Sequence, residues 1–293
     1  MRKLYKYMSE RAALSFIRDP QLRVTPRWAL NDPFECQLTS STIEHLDIHR
    51  LDDKCSRYVQ DFIDKHGIVS LSETPDNLLM WSHYSEEHRG AVVELLIDET
   101  KPFSIFQTKE CPVSSDALFN KVSYRKCRTY PSKENRDLEA LRDHYYLTKG
   151  VDWIYEKEHR YIFPVTSLSS VLLDENNTAD VSDHLGWRDL DNTLGMNSIC
   201  CTHPERLLSA WSHSRNSDAM FFVRLDSRSV GRLILGVNAD IQLFQRAMRD
   251  GEQNHRTDRN FVDSIIGRYN DVYRARIDPE RFELCFEPLD FIA

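Results

Sequence analysis

Residues 153–163 read Trp153-Ile154-Tyr155-Glu156-Lys157-Glu158-His159-Arg160-Tyr161-Ile162-Phe163, an aromatic and aliphatic run with a charged centre, and its simplest conformation is one extended strand. Successive side chains on a strand point to opposite faces. Glu156, Glu158 and Arg160 would then share one face, and Tyr155, Lys157 and His159 the other. Two carboxylates beside a guanidinium are costly to bury and useful at the border of a cleft. Each raises the proton affinity of the other, and Arg160 can hold one of them ionised, which makes an acid/base pair or a stabiliser of a developing cation. The same alternation also describes the solvated, charged face of an edge strand.

Upstream of this stretch, Leu4 to Tyr7 is a short aromatic strand, and Ser9 caps a helix carrying Ala12, Ala13, Phe16 and Ile17 that ends at Pro20. Leu22 to Thr25 reads as a strand and Pro26 to Glu35 as a turn-rich loop. An amphipathic helical region covers Ile43 to His66. Ile68 to Ser72 is a buried strand, and the Thr74-Pro75-Asp76 turn caps a helix bearing Leu78, Leu79, Trp81 and Tyr84. Ala91 to Ile97 is a strong strand, Lys121 to Tyr124 a short one, and Lys133 to Leu147 a charged helix. Downstream, Val165 to Asp218 has no clean period and reads as an insertion with a helix near Pro204 to Trp211. Strands at Met220 to Leu225 and Arg232 to Val237, helices at Ile241 to Arg249 and Phe261 to Tyr269, and a last strand at Phe282 to Phe286 complete the chain. Strands and helices mix without regular βαβ alternation. The expectation is a single α+β domain over residues 1–293, with a core at 1–164 and 219–240, an insertion at 165–218 and an extension at 241–293.

Composition excludes several chemistries. Only 9 of 293 residues are glycine; no two are separated by a single residue, so a G-x-G-x-x-G dinucleotide loop cannot be written, and no two stand four positions apart, so a G-x-S-x-G nucleophile elbow cannot either. Gly231 and Gly236 have P-loop spacing but are followed by Val237 and Asn238 in place of Lys and Ser or Thr. The net charge of −8 argues against coating nucleic acid or anionic membrane by bulk electrostatics. Two segments run the other way, Met1 to Trp28 and Asn120 to Arg136, and would form a basic face suited to a phosphate-bearing ligand if they met. Seven cysteines without a C-x-x-C, and no apolar leader or membrane-length run, point to a reduced, cytoplasmic protein with no membrane partner.

Other constellations are less specific. Helical spacing brings Met80, His83 and Tyr84 together, either to frame a nucleotide or as part of an aromatic core face. His83, Glu86, Glu87 and His88 miss the H-x-x-E-H zinc pattern by one residue, and adjacent Cys200 and Cys201 lack the usual ligand spacing, so no metal is expected. Asn31-Asp32-Pro33-Phe34-Glu35 is a rigid polar turn with a structural reading of equal weight.

LYKY, LRVTP with ALNDPFE, LSET with LLMWSHY and HRGAVVEL, WIYEKEHRYIF and RLILGV, in that order, resemble a mostly bacterial family, domain of unknown function 2971. The same order of parts resembles the ADP-ribosyltransferase fold, in particular toxins that modify nucleic-acid bases. That resemblance implies split mixed or antiparallel sheets flanked by helices, with NAD as substrate. It implies Glu158 as the catalytic residue with Glu156 beside it, and Lys6, Tyr7, Asn31, Ser72, His83, Tyr84 and Arg160 around NAD. The first-strand His or Arg of those toxins is Lys6 here, and the Arg before their Met segment has no counterpart in Glu73-Thr74-Pro75. The implied function is transfer of ADP-ribose to a nucleic acid or protein, or NAD hydrolysis, by a toxin or anti-phage effector with a defence-system or antitoxin partner. Two alternatives stand beside it: a non-enzymatic nucleotide or phage-protein sensor, and a metal-dependent nuclease using Glu35, Glu156 and Glu158.

Overall fold

The first strand, β1 (Arg2–Met8), is followed at once by α1 (Glu10–Arg18), and the Ser9 hydroxyl caps that helix by accepting the Ala12 N–H, as expected of a serine at this position. A computed structural model describes residues 1–48, 55–106, 113–130, 137–173, 197–200, 204–215, 219–254 and 271–289. Beyond α1 run β2 (Gln21–Pro26), α2 (Ser40–Ile48), α3 (Cys55–Asp64), β3 (His66–Ser72), α4 (Leu78–Tyr84) and β4 (Ala91–Ile97). Then come β5 (Leu118–Lys121), β6 (Ser123–Arg125), α5 (Leu138–Tyr146), β7 (Thr148–Gly150) and β8 (Glu158–Pro164). The rest comprises β9 (Ser170–Leu173), β10 (Asn197–Cys200), α6 (Pro204–His213), β11 (Met220–Arg224), β12 (Val230–Leu235), α7 (Ile241–Asn254), β13 (Val272–Ile277) and β14 (Leu284–Pro288). The class is α+β, built on a mixed sheet.

Ten of the strands run in the order β10-β9-β11-β2-β3-β1-β4-β12-β13-β14, and β8 pairs with β3 and with β5. The branching at β3 shapes the molecule. One edge of β3 pairs with β8 along its whole length, His66 opposite Pro164 through Ser72 opposite Glu158. The other edge meets β2 only at Gly67 and Ile68, and β1 only at Ser72. Between those points β1 and β2 part, and the Lys6 ammonium donates to the Ser70 carbonyl at 3.1 Å, satisfying a backbone acceptor there.

One face of the sheet carries Leu4, Met8, Val69, Leu71, Val93, Leu95, Tyr161 and Phe163, covered by Phe16 and Ile17 of α1, Phe244 and Met248 of α7, and Leu207 and Trp211 of α6. On the other face Ile68 and Ile162 pack beneath Val59 and Ile63 of α3 and Leu141, Tyr145 and Tyr146 of α5. Every residue of β8 is buried, which overturns the reading of an exposed edge strand. Glu158 and Arg160 lie on the α3/α5 side. His159 lies on the other, its ring stacked on Phe119.

Several boundaries differ from expectation for identifiable reasons. Trp153 to Phe163 is not one strand: Val151–Glu156 forms a 3-10 turn, Lys157 adopts the left-handed conformation at φ 46°, and the strand begins at Glu158. The cap of α4 is Asn77, one residue past the expected turn, whose side chain accepts the N–H groups of Leu79 and Met80. The 43–66 region contains two helices, and the short strand at 121–124 is the end of β5 and the start of β6. Residues expected to be an insertion supply β9, β10 and α6, with Val171, Leu207, Ala210 and Trp211 in the main core. Strand β13 had no clear sequence signal, and the helix expected at 261–269 lies outside the described residues. Glycines serve close backbone approach. A side chain at Gly90 would meet the Met8 carbonyl at 2.0 Å, and one at Gly236 the His88 carbonyl at 2.0 Å.

Between α3, α5 and the sheet, His66 is buried, with Nδ1 beside the Phe62 carbonyl and Nε2 at 3.3 Å from Arg142. Burial first, and then the Arg142 charge, lower its pKa from 6.5 to about 4. Above 6.5 the ring is neutral folded or unfolded. Between 6.5 and 4 only the unfolded chain takes the proton, so stability falls with pH across that window, with a slope approaching about 1.4 kcal/mol per pH unit. In urea titrations at pH 7, 6, 5 and 4.5, His66→Gln is expected to flatten this loss relative to wild type. Parallel profiles would show that His66 does not carry it.

Candidate functional site

Five ionisable side chains meet beneath the point where β1 and β2 part: Glu35, Lys149, Glu156, Glu158 and Arg160, none more than 7% exposed. Each arrives by its own route. Asp32 builds an Asx turn by accepting the Phe34 N–H at 2.9 Å, and that turn delivers Glu35. Lys149 sits on β7, paired in parallel with Tyr124 of β6. Arg160 and Glu158 come from β8. Glu156 ends the 3-10 turn, anchored by the Ser72 hydroxyl, which donates to its carbonyl at 2.7 Å.

Arg160 forms a fork on Glu158, Nε to Oε1 at 2.7 Å and Nη2 to Oε2 at 2.9 Å, while Nη1 donates to the Tyr146 carbonyl at 2.7 Å and Nη2 also reaches Glu35. Lys149 Nζ contacts all three acids, Glu156 at 2.6 Å, Glu35 at 3.2 Å and Glu158 at 3.4 Å, and lies 4.8 Å from the centre of the Trp153 ring. The Tyr84 hydroxyl donates to Glu156 Oε1 at 2.6 Å, and the Glu158 N–H donates to the Tyr124 hydroxyl at 2.8 Å. Burial alone would raise the pKa of Glu158, but Arg160 and Lys149 outweigh it and bring it down to about 2. For Glu156 burial dominates, the Glu158 charge adds to it, and its pKa moves up. The pair is therefore polarised: Glu158 is the fixed anion and Glu156 the readier proton holder. At the split, burial lowers the Lys6 pKa to about 8 against the pull of Glu158.

The structure thus groups Glu156, Glu158, Arg160, Lys6, Ser72 and Tyr84, and the exposed Asn31 joins at the rim, beside Tyr84. Two expected site residues stand apart. Tyr7 holds the turn after β3, its hydroxyl donating to the Thr74 carbonyl at 2.8 Å and its ring edge-on to Trp81. His83 is exposed, its ring 6.4 Å from that of Tyr84. Part of the expected basic face is taken up by ion pairs within the protein, with Arg2 and Lys121 on Glu73, Lys3 on Glu94 and Arg27 on Asp64. Lys133 and Arg136 lie outside the described residues, as do Cys201 and His203.

Sequence reasoning missed Lys149 and Tyr124. A lone lysine before a glycine carries no local signal. Its role exists only once β7 is laid beside β6. Among the described residues no group of three His, Cys, Asp or Glu could hold a metal ion, and none of the helices is long and apolar enough to cross a membrane.

Lys157 is the hinge that lets Glu156 and Glu158 reach the same ammonium. A left-handed non-glycine residue costs roughly 1–2 kcal/mol, held here by the Lys157 N–H on the Ile154 carbonyl and the Glu73 N–H on the Lys157 carbonyl. Lys157→Val is expected to destabilise the fold by roughly 1–2 kcal/mol more than Lys157→Gly, read from urea midpoints. Equal midpoints would mean that the turn relaxes out of this conformation.

No curated protein and no solved structure matches the chain. Residues 80–161, from within α4 through Glu156, Glu158 and Arg160 to Tyr161, match a family described as "Protein of unknown function (DUF2971)", which agrees with the resemblance carried by the sequence motifs.

Proposed function

We propose that the protein is an NAD-consuming enzyme of the ADP-ribosyltransferase type, passing ADP-ribose to a nucleic acid, a protein or water, in the toxin or anti-phage role that the resemblance implies. The observation that carries this reading is the adjacency of β1, β3 and β8, which lines up Lys6, Ser72 and the Glu156/Glu158 pair at a split in the sheet. These are the three strands from which that chemistry would draw its residues. When the glycosidic C–N bond of NAD breaks, nicotinamide leaves as a neutral molecule with the bonding electrons and the ribose C1′ becomes cationic. A fixed carboxylate beside it stabilises that charge without reorganising. The acceptor O–H or N–H then bonds to C1′, and its proton passes to a carboxylate of the pair or to solvent.

One observation favours the second reading, a non-enzymatic sensor or adaptor. Glu156 and Glu158 are each 3% exposed, and all four of their carboxylate oxygens have partners within the protein. The discriminating experiment incubates the purified chain with labelled NAD in the presence of DNA, RNA and protein acceptors. Release of nicotinamide or transfer of label is expected. Thermal stabilisation by NAD without either product would favour the sensor, and neither turnover nor stabilisation would remove NAD from the account.

A further inference from the structure

The two glutamates differ in how they can be reached. Glu158 has Oε1 on Arg160 Nε and Oε2 on Arg160 Nη2 and Lys149, and freeing either oxygen would leave a guanidinium that is 1% exposed without its main counter-charge. Glu156 has Oε2 on Lys149, but its Oε1 accepts from Tyr84 alone. Tyr84 is half-buried, the last residue of the seven-residue α4, followed by Ser85 in a non-helical conformation and flanked by the exposed His83 and Asn31. Among the groups on the carboxylates it is the one that can turn outward without stranding a charge.

Resting on the NAD reading above, we infer that Glu156, rather than Glu158, is the carboxylate that substrate meets, and that the Tyr84 hydroxyl is a latch occupying the oxygen a ribose hydroxyl would take. A sugar O–H donates the same hydrogen bond as the phenol, so opening exchanges one donor for another at Oε1 while Lys149 keeps Oε2. The half-buried rings of Tyr155 and Trp153 flank this mouth, with centroids 6.1 Å apart, and offer apolar surface to a planar base. Glu158 and Arg160 stay closed beneath as a fixed electrostatic floor.

Steady-state NAD cleavage by wild type, Tyr84→Phe and Glu156→Gln tests this, with circular dichroism and melting curves to verify folding. Phenylalanine keeps the ring and removes the competing donor, so KM for NAD is expected to fall roughly tenfold, the worth of one hydrogen bond to a charged group, with kcat little changed. A merely structural tyrosine would lower the melting temperature and kcat without lowering KM. Glu156→Gln is expected to bind NAD, seen as thermal stabilisation, and to lose turnover at least a hundredfold. Turnover by wild type with an unchanged or raised KM in Tyr84→Phe, or with activity retained in Glu156→Gln, overturns the latch and leaves the NAD reading standing. If neither wild type nor Tyr84→Phe cleaves NAD, the NAD-cleavage reading fails and the inference with it.

Discussion

The Arg160 guanidinium ties together segments that are far apart in sequence: Glu35 on the loop after β2, Tyr146 at the end of α5, and Glu158 on its own strand. Moving a charge of this size from water into a protein interior costs several kcal/mol after relaxation, and only well-placed counter-charges offset it. The loop, the helix and the strand must therefore hold their positions together. A chain in which Glu158 failed to arrive would leave this cation without its main counter-charge in a buried region. Lys149 repeats the logic from β7, so two bases and three acids lock a region that the aliphatic residues of α3 and α5 alone would specify less sharply.

That constraint explains which parts of the fold were legible in the sequence. Strand β4 was readable to the residue because Ala91 to Ile97 is dominated by apolar side chains bounded by Gly90 and Asp98, and a central strand needs little else. The Ser9 cap was readable because an N-cap is a local bond between near neighbours. The 153–163 stretch gave the right partners by the wrong geometry. Alternation along an unbroken strand would put Glu156 and Glu158 on one face, whereas the structure brings them together through a 3-10 turn and a left-handed Lys157. The backbone bends there because Ser72, Glu73 and Tyr124 supply bonds to residues 156–158 from other elements, and no window of eleven residues contains that information.

The missed residues share one cause. Lys149 and Tyr124 matter because β6 and β7 form a two-stranded parallel ribbon, Tyr124 opposite Lys149, beside the larger sheet. Parallel pairing of three-residue strands has almost no sequence signature. Glu35 was visible as an acid in a rigid turn, but a turn fixed by Asp32 and Pro33 serves a structural and a functional reading equally. Only its approach to Arg160 and Lys149 separates them.

The scarcity of glycine then takes on a narrower meaning. A glycine-rich loop grips phosphate with backbone N–H groups, and this chain spends Gly90 and Gly236 on strand and turn contacts where a Cβ would collide with a carbonyl. What the split in the sheet offers is made of side chains. Lys6 illustrates the consequence: its ammonium already satisfies the Ser70 carbonyl, and burial has brought its pKa to about 8, so near neutral pH it is mostly charged yet close to losing its proton. It is also the sixth ionisable group around a buried set whose formal charges otherwise sum to one net negative. The lysine that fills the gap between β1 and β2 therefore sits in the field of the acid cluster, where Glu158 and Glu156 oppose the effect of burial on its charge.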